Sequence, residues 1–436
     1  MSDTLRRDLG LGGAVLLGLG SIVGTGVFVS IGIAAGVTGP SVVPAIVLAA
    51  LVAACNGMSS AQLAANHPVS GGTYEYGYRF LLPAAGFVAG TLFLVAKSAS
   101  AATAALGAAG YVLNLFTNGA ASRAAGTTSG VNVVVPVALA FVVFLTVIVA
   151  GGIRGSKRTN AIVVSVSLLA LAGFVAAGLI TQGGLDRASF QPFFSNPSAP
   201  VPSFLNAAAL MFVAYTGYGR IATLGEEVRT PGRTIPRAIV VTLLATTLLY
   251  TAVAAVAVSV LGAGDLATAA TGGPAPLEVA AARMGLPALA AILAVGAVAA
   301  MTGVLLNLLL GLSRVVLAMA RRGDLPRGLA RVHSASASPR RAVFLVGAII
   351  LALVSIGDVR LTWSFSAFTV LVYYAITNLA ALFVPPAGRV FPRWISLFGL
   401  VGCLSLAAFV PPMIIMTGGA VIAAALVIFA IIHRRR

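Results

Sequence analysis

Lys97 is the residue whose chemistry fits its surroundings least. It stands in an apolar stretch running from Pro83 to Leu115, 14 residues from its start. On a helix that is roughly 21 Å, at or just beyond the middle of a bilayer. An ammonium there costs about 2.5–3.5 kcal/mol on insertion scales, so it should face protein rather than lipid. The chain uses Lys twice and Arg 25 times. Arg keeps its proton in such a site, whereas Lys can give it up, which makes Lys97 a candidate proton carrier. The plainer reading is a Lys that snorkels, or pairs with helix-end carbonyls, and serves folding alone. Ser98, Ser100 and Thr103 offer nearby hydroxyls, of which Ser100 shares the helix face of Lys97.

Two glycine-rich runs supply the other polar features at mid-depth. The run Gly18-Leu19-Gly20-Ser21-Ile22-Val23-Gly24-Thr25-Gly26-Val27-Phe28 holds four glycines and two hydroxyls. A helix break there frees backbone N–H and C=O groups, which must then meet partners in a protected cavity. Phe212-Val213-Ala214-Tyr215-Thr216-Gly217-Tyr218-Gly219 repeats the device. The two runs fall in apolar segments five apart, as an inverted five-helix repeat would place them face to face at the midplane. Glycines that merely allow close helix packing are the alternative.

The elements that must carry these residues are set by composition. Of 436 residues, 59% are apolar and 8% charged, and the mean hydropathy is +1.04, which excludes an ordinary soluble domain. Apolar blocks at approximately 11–36, 40–65, 83–115, 131–151, 159–182, 203–225, 237–261, 286–320, 342–357, 361–384, 394–411 and 413–432 predict an all-α membrane protein of 12 transmembrane helices. The block at 286–320 is long enough to project beyond the bilayer. Residues 262–285 read as a connection. The first block is too long and too glycine-broken for a signal-peptide core, and reads as the first span.

The net charge of +17 would suggest nucleic acid only if it formed one face or tail, and it does not. With a cytoplasmic N-terminus, 22 of the 27 basic residues fall on the cytoplasmic side, four on the other, and Lys97 within a span. This is the positive-inside bias, and it predicts a multi-pass protein of the cytoplasmic membrane with both termini cytoplasmic. Cys55 and Cys403 stand in separate apolar blocks, and no His, Cys or acid cluster has metal-ligand spacing. No metal or cofactor is expected.

The first-span Gly24-Thr25-Gly26-Val27-Phe28, the loop Pro68-Val69-Ser70-Gly71-Gly72-Thr73-Tyr74, the stretch Leu224-Gly225-Glu226-Glu227-Val228-Arg229-Thr230-Pro231, and Ser313-Arg314-Val315-Val316-Leu317-Ala318-Met319-Ala320-Arg321 with Leu325-Pro326 stand in order at fitting spacing. Together they resemble the amino acid, polyamine and organocation (APC) transporter superfamily, and within it the bacterial amino acid permeases. The resemblance covers almost the whole chain. It implies a single transporter domain over 1–436, with a first five-helix repeat at about 11–182, a second at about 203–384, and two additional helices at about 394–432. It also implies a substrate site between the two breaks. Backbone N–H groups around Ser21, Ile22, Gly24, Thr25 and Gly26 would receive a substrate carboxylate, and carbonyls around Phe212, Ala214, Tyr215 and Gly217 its ammonium. Relatives often carry a bulky gate at the place of Val213; here Phe212 or Tyr215 takes that role or is a core aromatic. Two departures stand out: Gly219-Arg220 replaces an acid after the sixth-span break, and Ser167 falls where some proton-coupled members carry a Lys in the fifth span. Lys97 is the expected substitute.

The function so implied is secondary active transport of an amino acid, by proton-coupled uptake through alternating access. An exchanger, or a carrier of polyamines or other amines, is the nearest alternative, and a passive channel a more distant one. An intramembrane enzyme is poorly supplied, since Lys97 has no His or acid partner within the spans. There is no Walker loop for direct use of ATP. The expected partners are the amino acid, protons and the lipid bilayer, without nucleic acid.

Overall fold

The structure is a computed structural model describing residues 10–67, 71–117, 133–152, 157–222, 228, 230–271, 275–333 and 338–434. Pro68 to Ser70 of the loop motif, Glu226, Glu227 and Arg229 lie outside the described residues. Helices make up the fold, with no strand among the described residues beyond an isolated bridge between His333 and Ser338. Seven helices are long and apolar enough to cross a membrane, and three shorter apolar helices accompany them.

The first helix, α1 (Leu11–Ile22), stops where Val23 turns extended, at φ −74° and ψ 110°. The chain resumes as a π-helical turn, Gly26–Ser30, and runs on into α2 (Ile31–Thr38). Then follow α3 (Val42–Asn66), the short α4 (Thr73–Phe80), α5 (Pro83–Thr117), α6 (Val134–Ala150) and α7 (Lys157–Thr181). The second interruption follows α8 (Pro200–Tyr215), where a 3-10 turn over Thr216–Tyr218 leads to the four-residue α9 (Gly219–Ala222). The remainder is α10 (Pro231–Thr271), α11 (Pro276–Arg283), α12 (Pro287–Arg322), α13 (Arg340–Val354), α14 (Val359–Leu382), α15 (Arg393–Ala408) and α16 (Pro412–Arg434).

The helices follow the apolar blocks closely, with one difference of kind. The helix is interrupted at Gly262, where the predicted span ends, by a φ of 76° and ψ of 160° that suit glycine; helix then resumes to Thr271, and α11 follows within the same predicted connection. The reason lies in packing: Leu266 and Ala270 are buried, and Ala270 presses on Gly32 of α2, where a Cβ would come within 2.6 Å of Ala270 Cβ.

Helix α5 is the centre of the bundle, packed along both α14 and α12. Paired hydroxyls tie it to α14, with Ser100 2.7 Å from Ser366 and Thr103 2.9 Å from Thr362. At one end of the bundle α4 is fixed to the end of α12. Tyr74 and Tyr78 both donate to Asp324 Oδ2, at 2.7 and 2.6 Å, and Arg322 pairs with Glu75 at 2.5 Å. Burial and the Asp324 carboxylate push both phenols up, so they remain donors.

Candidate site between the two helix breaks

Tyrosines from elsewhere in the fold bond the carbonyls of the first break and its π-helical turn, and a local hydroxyl bonds a carbonyl of the second. Ending α1 at Ile22 strips its last carbonyls of intrahelical donors. Tyr250 of α10 donates to Ile22 O at 2.8 Å, and Tyr111 of α5 donates to Phe28 O at 2.9 Å. The oxygens of the break are thus partly satisfied, whereas the Gly24 N–H donates to no backbone carbonyl among the described residues. At the end of α8, Thr216 folds its hydroxyl back onto Val213 O at 2.7 Å.

The two breaks touch through their glycines. A Cβ on Gly26 would stand 2.6 Å from Ala214 Cβ, and one on Gly217 would overlap the Ser21 carbonyl. Any side chain at either position would force the segments apart. Gly24 differs, because its nearest neighbour, at 2.7 Å from an added Cβ, is a side-chain methyl of Val304 in α12 rather than backbone.

Around this junction lies a cavity of about 350 Å³. Ser21, Ile22, Thr25 and Gly26 line it from the first break, and Val213, Ala214, Thr216 and Gly217 from the second. Gly24, Phe212 and Tyr215 stand behind its wall. Phe212 is fully buried edge-on against Tyr374, with ring centroids 5.8 Å apart, and Tyr215 packs on Tyr250 at 5.5 Å. Both aromatics are core residues in this conformation.

Lys97 enters from α5. It is 7% exposed, lines the cavity, and donates from Nζ to Thr216 Oγ1 at 2.5 Å. Its partner therefore belongs to the sixth-span break. Ser167 lies apart from the cavity lining, its hydroxyl 2.8 Å from Val163 O and 3.1 Å from Gly296 O.

Several lining residues escaped the sequence reading. Trp363 of α14 is held by a 3.0 Å bond from its indole N–H to Leu210 O. Phe93, Asn307, Leu308, Tyr373 and Tyr374 also contribute. For the α14 residues alone a faint signal was present: Thr362, Ser366, Thr369, Tyr373 and Thr377 recur at helical spacing, marking a polar face on an otherwise apolar helix, although of these only Tyr373 lines the cavity.

The lining extends from Trp363 to Gly71 and Gly72 and to the exposed Arg220 and Arg314, residues assigned to the cytoplasmic side by charge. Val27, Phe28, Val29, Ser30 and Met211 are wholly buried. Among the described lining residues of the cavity are Lys97, Arg220 and Arg314 and no carboxylate. Such a chamber can hold a small zwitterion or anion, with backbone groups and one movable proton at its centre.

Comparison with known proteins follows the same lines. The amino acid permease family profile matches residues 13–434. An uncharacterized transporter of Mycobacterium tuberculosis is 42% identical over 421 residues, covering 96% of this chain and 90% of that protein. The branched-chain amino acid permease BcaP of Bacillus subtilis is 31% identical over 351 residues, covering 79% of this chain and 73% of that one. Among solved structures, MhsT in complex with L-phenylalanine aligns over 97% of this chain and 99% of that one, with a TM-score of 0.66 and 17% identity, a likeness of fold.

Proposed function

The chain belongs to the amino acid permease family, as a multi-pass membrane transporter and not an enzyme, and from that premise we propose that it takes up an amino acid across the cytoplasmic membrane together with protons. The observation that carries this reading is that one cavity is bordered by both helix breaks, with the buried ammonium of Lys97 bonded to Thr216 of the second. Twelve spans, ten of them in an inverted repeat, give alternating access around that fixed site.

The α-carboxylate goes to the first break, where Gly24, Thr25 and Gly26 leave the regular helix. The α-ammonium goes to the carboxyl-terminal end of α8, where Ala214 lines the cavity and where the terminal carbonyls and the helix dipole favour a cation. Both backbone ends serve any α-amino acid. Choice among side chains falls to the wall formed by Ile22, Val213, Val304, Leu308 and Trp363, which is apolar. The absence of a carboxylate among the described lining residues argues against a polyamine or a cationic side chain, since a second cation near Lys97 would stand unpaired in a low dielectric.

Lys97 takes up its proton from outside and releases it inward, resetting the empty carrier. Lining by Arg220, Arg314 and Gly71 supports a conformation open to the cytoplasm, the one from which substrate and proton leave. Uptake into proteoliposomes, across a panel of radiolabelled amino acids with and without an imposed pH gradient, tests the assignment. Concentrative uptake of an uncharged amino acid that depends on the pH gradient is the expected result. Linear, unsaturable flux would mean a channel.

A further inference from the structure

We propose that Lys97 is itself the ligand of the substrate's carboxylate, so that the transported proton and the amino acid are held by one ion pair. This rests on the transport function proposed above and goes beyond it, because a proton carrier need not touch the substrate.

The argument starts from the incomplete surroundings of the ammonium. A protonated Lys offers three donors. Among the described residues Lys97 uses one, to the uncharged hydroxyl of Thr216, which is itself committed to Val213 O. The other titratable or charged groups on the cavity wall are Tyr76 of α4, Arg220 of α9, Arg314 of α12, and Tyr373 and Tyr374 of α14; none comes from the first break. They are phenols and guanidiniums, and none can serve as counter-ion. A buried cation without a counter-ion is destabilising unless something supplies the charge. The substrate brings one.

Position makes the pairing specific. Thr216, which holds Lys97, directly precedes Gly217, and Gly217 lies against the Ser21 carbonyl. A carboxylate seated at the first break is therefore beside the ammonium. One of its oxygens can take backbone N–H groups, and the other can take Lys97.

This arrangement supplies the coupling without a distant relay. An ammonium favours carboxylate binding, and by reciprocity a bound carboxylate holds the proton on Lys97 by the same factor. Neutral Lys97 binds the substrate poorly, so proton and amino acid are loaded together and leave together. Cationic side chains are disfavoured by the same charge.

The test is a cycle between the residue and the functional group. Each of the twenty proteinogenic L-amino acids is screened by thermal shift on the purified full chain, and the amino acid giving the largest shift is paired with its own amide, which keeps the ammonium and lacks the carboxylate. In the parent, the amide should bind at least tenfold more weakly. In Lys97→Gln the amino acid should lose at least tenfold and the difference between acid and amide should collapse, while Lys97→Arg restores the preference for the acid. Amino acid affinity in the parent should fall about tenfold per pH unit once Lys97 begins to lose its proton, and stay flat in Lys97→Arg. An undiminished acid-over-amide preference in a well-folded Lys97→Gln protein overturns the ion pair, and so does a failure of all twenty to shift the parent. Loss of pH-driven accumulation in that same Lys97→Gln protein would leave the proton-carrying role standing alone. Accumulation by Lys97→Arg equal to the parent would remove the proton-carrying role proposed for Lys97 and leave transport standing.

Discussion

Lys97 Nζ donates to Thr216 Oγ1 across 2.5 Å, and Thr216 in turn donates its hydroxyl to Val213 O at 2.7 Å. A transmembrane helix is thereby joined, through one threonine, to the point where another helix is interrupted. Hydrogen bonds to a charged group contribute about 1.5–3 kcal/mol. Thr216→Val keeps the shape and removes the acceptor, and should lower pH-driven accumulation roughly tenfold or more, with Thr216→Ser close to the parent. Initial uptake rates under a fixed pH gradient measure this. Equal rates for the Val variant would show that the bond is incidental.

The glycines of the breaks should differ in tolerance. Gly217→Ala places a methyl into the Ser21 backbone, which cannot yield as a side chain can, and should abolish saturable uptake. Gly24→Ala meets a side-chain methyl of Val304 rather than backbone and should keep more of it than Gly217→Ala does. Size-exclusion profiles check that both proteins are folded. Survival of substrate affinity in Gly217→Ala would move the site away from the junction of the breaks.

Glu278 of α11 gives a pH signature outside the membrane-spanning segments. Its Oε2 is enclosed without a hydrogen-bond partner among the described residues, and burial pushes the carboxyl up from 4.5 to about 7. The folded protein thus holds this proton to higher pH than the unfolded chain. The group costs little below 4.5, and its cost grows as pH rises from there to about 7. Glu278→Gln should therefore raise the melting temperature at pH 8 and leave it unchanged at pH 4.5. A gain of equal size at both values would mean that the effect is not ionisation.

Orientation can be read by labelling. In a chain freed of Cys55 and Cys403, a cysteine at Asp265 should react with an impermeant maleimide on intact cells, and one at Arg331 should not. Both positions are exposed in the structure. The reverse pattern, or reaction at both, would contradict cytoplasmic termini.

Much of this site was legible in the sequence because its parts are chemically out of place. Glycines and hydroxyls at mid-depth marked the breaks, and an ammonium in an apolar run marked Lys97. What stayed hidden were relations between distant residues. Thr216 lies 119 positions from Lys97, and nothing local to either announces the bond. Tyr250 and Tyr111, which satisfy carbonyls of the first break, look like ordinary core aromatics in sequence. The helical stretch to Thr271 was hidden for another reason: its Gly and Asp residues favour a loop locally, and burial of Leu266 and Ala270 outweighs them.

The central claim, that Lys97 carries the proton that drives uptake, meets its most direct test in proteoliposomes holding the parent or Lys97→Arg at equal density. With an acidic outside and alkaline inside, the parent should concentrate its amino acid above the external level and lose that accumulation when the gradient is collapsed. Lys97→Arg, with a charge it cannot shed, should bind and exchange substrate yet reach only equilibrium. Accumulation by Lys97→Arg to the level of the parent would contradict the account.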